Sequence, residues 1–140
     1  MRPAKLLMCV FVLGTLFPGL EARAQESSFE LALNNIEQVQ SGCRVVFIAK
    51  NRLGTRLDKT AIEIAVFDAK NIFSGMVVFD FGRLPNGKTK VVQYDLPREC
   101  ATISRLLLNS VKECAGEKDM RQECEDRIIT SSRAKVEFGQ

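Results

Sequence analysis

Cysteine has the widest chemical repertoire of any residue type in this chain. Four of its five copies lie beyond the N-terminal segment: Cys43, Cys100, Cys114 and Cys124. Thiolates at suitable spacing exchange disulfides or hold zinc. Exchange catalysts carry Cys-x-x-Cys, which does not occur here. Four-cysteine zinc sites are built from two closely spaced pairs, and separations of 57, 14 and 10 residues do not supply them. An even number in a small exported chain reads instead as two structural disulfides, with three connectivities open. Cys114 and Cys124 are near in sequence and bracket a charged helical stretch, which pairs them and leaves Cys43 with Cys100. By loop entropy, the short loop contributes about 3 kcal/mol and the long one about 4 kcal/mol.

The fifth cysteine, Cys9, falls in a segment with the layout of a cleaved secretory signal. Arg2 and Lys5 give it a positive start, Leu6 to Leu16 is apolar, and Pro18-Gly19 breaks the run. Ala22-Arg23-Ala24 then places small residues before Gln25. The apolar run is shorter than the roughly 20 residues of a membrane span. No twin-arginine pair is present, which points to the general secretory route and to a periplasm. Residues 1–24 are thus expected to be a signal peptide and residues 25–140 a single domain. The whole chain carries 20 basic and 17 acidic residues. Without Arg2, Lys5, Arg23 and Glu21 the balance is 17 to 16, a net charge of +1 that excludes a nucleic-acid binder.

Other chemistry is sparse. The chain has no histidine, so His-based triads, imidazole acid–base catalysis and His metal sites are excluded. Asp80 and Asp95 flank Asn86-Gly87 and, across a hairpin, would make a glycosidase-type carboxylate pair; solvated strand ends are the simpler reading. Ser104, Ser131 and Ser132 lie beside arginines, but no Ser-x-x-Lys supplies a base beyond the signal segment. The glycines are spread one per turn and cradle no phosphate. Met76 and Met120 are too few for a copper carrier. No cofactor is expected. The remaining feature is the turn Leu84-Pro85-Asn86-Gly87, with Arg83, Lys88 and Lys90 around it. As a hairpin, Arg83, Pro85, Asn86, Gly87, Lys88 and Lys90 form a candidate partner-binding surface for an acidic protein or a peripheral contact with anionic headgroups. The alternative role for its lysines is to keep a sheet edge from aggregating.

The elements that must position these residues are mostly strands. Alternating or apolar runs occur at 29–33, 43–49, 61–67, 76–81, 88–96, 103–111 and 134–138, with Asn34-Asn35, Asn51–Gly54, Asp68–Asn71 and Pro85–Gly87 as turns. The run 76–81 is nearly all apolar, as in a buried strand. Glu117 to Ile128 has a helical period instead: Met120, Cys124 and Ile128 share one stripe, with Glu117/Arg121 and Glu123/Arg127 spaced as ion pairs. About seven strands and one short helix near the C-terminus predict a mostly β, immunoglobulin-like two-sheet sandwich.

The segments Ser41-Gly42-Cys43-Arg44, Val66-Phe67-Asp68, Asp80-Phe81-Gly82, Leu84-Pro85-x-Gly87-Lys88 and Gln93-Tyr94-Asp95-Leu96-Pro97 together resemble uncharacterised small exported proteins of Alphaproteobacteria. The middle segment is also locally similar to immunoglobulin-like domains of the FxLYD kind. The resemblance implies export and a sandwich fold, and assigns no site residue. The expectation is a non-catalytic periplasmic module that binds an envelope protein. The alternative is a periplasmic inhibitor of a protease or lysozyme, presenting the Leu84–Lys88 turn.

Overall fold

In the computed structural model, residues 26–140 are described; the signal expected over residues 1–24 lies outside them. Two four-stranded sheets pack face to face. The strands are β1 (Phe29–Val39), β2 (Gly42–Asn51), β3 (Lys59–Phe67), β4 (Phe73–Asp80), β5 (Thr89–Leu96), β6 (Arg105–Ala115), β7 (Ile128–Ser132) and β8 (Glu137–Gly139). A helix, α1 (Arg121–Arg127), precedes β7. One sheet has the order β5-β2-β1-β7 and the other β4-β3-β6-β8. The hairpin β1–β2 lies in the first sheet and β3–β4 in the second; β5 then returns beside β2, and β6 crosses to β3. This is the Greek-key connectivity of an immunoglobulin-like sandwich. The C-terminal segment then adds β7 parallel to β1 and β8 parallel to β6.

Period-two alternation places the core. On β2, Cys43, Val45, Phe47 and Ala49 point inward, and Phe29, Leu31 and Leu33 do the same from β1. The facing sheet contributes Ile62, Ile64, Val66, Phe79, Leu106 and Leu108. Phe47 is the hub: its ring meets those of Phe79, Phe138 and Phe81 edge to face, at 5.2, 5.4 and 5.9 Å. β3 is central in its sheet and is buried along most of both faces.

Both expected disulfides are present. Cys43–Cys100 joins β2 to a 3-10 turn at Cys100–Thr102, and Cys114–Cys124 joins β6 to α1. Cys100 therefore opens the turn that leads into β6. Five expectations are corrected. Asn34-Asn35 is a bulge inside β1, not its end; the strand runs on to Val39 and turns before Gly42. There a positive φ is required, and any Cβ would collide with the Leu96 carbonyl. The sixth strand is longer than expected and lies at 105–115.

The helix spans seven residues rather than twelve, because residues 115–120 fold back as a turn in which Met120 N–H donates to Cys114 O at 2.7 Å. Its apolar stripe is as expected, with Met120, Cys124 and Ile128 buried. Its expected ion pairs are replaced by Arg121–Asp119 at 2.7 Å and Lys118–Glu123 at 3.5 Å. The eighth strand, β7, comes from Ile128-Ile129-Thr130, a β-branched run that follows the helix with no turn residue to announce it.

Truncating the hub measures this packing. Phe47→Ala should cost about 3–5 kcal/mol in urea unfolding. Phe73→Ala, on a ring that is 54% exposed, should cost about 1 kcal/mol or less.

Candidate functional site

The turn around Asn86-Gly87 is not a hairpin. Residues 81–88 carry the chain from β4 in one sheet to β5 in the other. Asp80 Oδ1 accepts the Gly82 N–H at 2.7 Å and starts the turn. Leu84 exchanges two backbone hydrogen bonds with Leu57, at 2.9 and 3.0 Å. The clamp is Asn51, a fully buried polar residue at the end of β2. Its Nδ2 donates to Thr55 O at 2.7 Å and Leu84 O at 2.9 Å, while its Oδ1 accepts the Leu53 N–H at 3.0 Å. Its backbone carbonyl takes the Gly87 N–H at 2.7 Å. At the tip, Asn86 Oδ1 accepts from Gly54 N–H at 3.1 Å.

The basic cluster is also redirected. Lys90 Nζ donates to Phe81 O at 2.6 Å, and Arg83 Nε lies 3.3 Å from Asp58 Oδ1. Two of the three cations thus brace the connection, and Pro85, Asn86, Gly87 and Lys88 remain exposed. Removing the clamp takes one of two donors from Leu84 O and leaves the half-buried Thr55 carbonyl and Leu53 N–H without their side-chain partner. Asn51→Ala should therefore lower stability by about 1–3 kcal/mol and speed amide exchange at Gly87.

The two carboxylates are not brought together. Asp80 ends β4 on the outer face of one sheet, and Asp95 lies in β5 on the outer face of the other. Two sheets at a spacing of about 10 Å stand between those faces, so the acid–base pair fails on geometry. Asp95 is instead gripped by Arg44, Nε to Oδ1 at 2.7 Å and Nη2 to Oδ2 at 2.9 Å, and by Ser41 Oγ at 2.6 Å. The Arg44 hydrogen bonds, then that of Ser41, hold its carboxyl below the usual carboxylate range. Of the serines, Ser132 Oγ donates to Val136 O at 2.6 Å and joins β7 to the last segment. No group of three or more potential metal ligands converges among the described residues.

A depressed pKa stabilises the folded state above the unfolded value, and the contribution is lost as pH falls through the folded one. The melting temperature of the wild type should exceed that of Asp95→Asn at pH 6. The gap should close below about pH 4 in a thermal melt series.

Sequence reasoning missed the outer face of β4. Phe79 and Phe81 are core, as the apolar run implied, but Met76 and Val78 are 46% and 51% exposed. Ile72 and Phe73, just before them, are 58% and 54% exposed. On β3, Phe67 packs edge to face on Phe73 at 6.2 Å, with the Arg105 guanidinium 4.2 Å above the Phe67 ring. The stretch Ile72 to Phe79 has no charge and no proline, although β4 is an edge strand. An uncharged run on an edge was the available signal, but edge position is a property of the sheet order and is not written in the strand itself.

The chain matches no family model, no curated protein and no solved structure. The functional reading rests on this geometry.

Proposed function

We propose that the protein is an exported, non-catalytic interaction module of the bacterial periplasm that binds an envelope protein through β4. The observation that carries this reading is the edge strand β4, uncharged from Phe73 to Phe79, with Ile72, Phe73, Met76 and Val78 about half exposed around it. A contiguous apolar surface beside unpaired strand edges suits recognition by strand addition, where backbone hydrogen bonds give affinity and alternate side chains give selectivity. Two disulfides suit an oxidising compartment, and no helix among the described residues is long and apolar enough to cross a membrane.

The test is affinity capture from the envelope fraction with residues 25–140, comparing wild type with Met76→Glu/Val78→Glu. A stoichiometric partner should be recovered by the wild type and weakened at least about tenfold by the variant. Equal recovery by both would place the binding surface elsewhere.

A second reading has its own support. The 81–88 connection is pinned from behind by Asn51 and Gly54 while Pro85 and Asn86 project, the arrangement of a rigid inhibitory loop. If the protein inhibits a periplasmic protease or lysozyme, Asn86→Ala should weaken inhibition measurably in a turnover assay.

A further inference from the structure

The exposed edge of β4 has a pattern that selects its occupant. Phe81 N–H donates to Thr60 O at 2.8 Å, and Asp80 faces Ala61. Antiparallel alternation then turns the backbone groups of Phe79 and Val77 toward β3 and those of Asp80, Val78 and Met76 to the open side. Both ends of this open side are covered by residues from around β5. The Tyr94 O–H donates to the Asp80 carbonyl, its ring packed on Phe79 at 4.9 Å. The Arg98 guanidinium donates to Ser74 Oγ at 2.7 Å. Between these caps, Met76 and Val78 keep both amide and carbonyl open.

We infer that a second copy of this chain occupies the edge, its β4 antiparallel to the first across a two-fold axis at Val77. In that register Met76 of each copy faces Val78 of the other, and the four open groups per copy are all paired. Asp80 of one copy falls opposite Ser74 of the other, and so beside the Arg98 held there. Two Asp80–Arg98 pairs of opposite charge flank the central hydrogen bonds, an isologous arrangement in which one patch complements itself. The apolar face doubles into one continuous strip over an eight-stranded sheet. Side chains stand perpendicular to the sheet, so Ile72, Phe73, Met76 and Val78 remain on its outer face, and the contact between copies rests on the central strand hydrogen bonds and the two flanking charge pairs. The inference rests on the reading of β4 as the binding edge, and specifies its partner.

Sedimentation equilibrium of residues 25–140, with cross-linking, tests it. The wild type should dimerise, and Arg98→Glu should weaken the dimer at least about tenfold, with Asp80→Arg/Arg98→Glu restoring it. Val77→Cys should oxidise to an intermolecular disulfide, because facing residues in a non-hydrogen-bonded pair lie about 4.5 Å apart at Cα. Met76→Cys and Val78→Cys alone should not. Circular dichroism of each variant confirms folding. A wild type monomeric at 200 μM, or a dimer indifferent to Met76→Glu/Val78→Glu, overturns self-pairing. If the monomer still captures an envelope protein through Met76 and Val78, the binding edge stands without its second copy. If that capture also ignores the variant, both readings fall.

Discussion

The ring of Phe47 is the point on which this structure turns. It projects from β2 in one sheet and meets Phe79 of β4, Phe81 of the following connection and Phe138 of β8. Those contacts reach across the sandwich, including its shortest strand. A three-residue strand has little pairing of its own, so β8 depends on the burial of Phe138 against this hub. The same cluster settles which face of β4 looks inward. Once Phe79 is committed to Phe47, period-two alternation sends Met76 and Val78 outward. The surface assigned to binding is a consequence of the core.

The four lateral edges are treated differently, and the differences follow the sequence. β7 and β8 are short and pair in parallel with β1 and β6, which leaves little to template. β5 is long but carries Lys90 and Asp95, with Lys88 before it and Pro97 after it, the usual guards of an exposed strand. β4 carries its one charge, Asp80, at its last position, has none from Phe73 to Phe79, and is covered only at its ends, by the chain's one tyrosine and by Arg98. An edge protected at both ends and open in the middle differs from one that is simply unprotected.

Much of this was legible in the residues. Alternation on β2, the helical stripe Met120, Cys124, Ile128 and the even cysteine count led to the sandwich, the helix and both disulfides. What was not legible depended on contacts distant in sequence. Asn34-Asn35 reads as a turn because asparagines tolerate turn geometry, yet β2 pairs on both sides of it and holds the strand together as a bulge. Asn86-Gly87 reads as a hairpin by the same logic. The connection crosses between sheets because Leu84 is drawn under Leu57 and Asn51 seizes its carbonyl. In both cases local turn chemistry was right about the bend and silent about where the chain went next. The exposed face of β4 was hidden for a further reason: in a run as apolar as Met76 to Phe79, the two faces cannot be told apart until the sheet supplies them.

The Cys43–Cys100 bond closes a covalent ring around β2 through β5, and the whole of β4 lies inside it, together with Tyr94 and Arg98. Tension applied to the chain at its two ends passes from Cys43 to Cys100 through sulfur and bypasses the residues between them. Pulling can peel β1, β6, β7 and β8 away while the enclosed loop carries no load. The edge proposed for binding therefore lies on a segment that is mechanically isolated from the rest of the molecule.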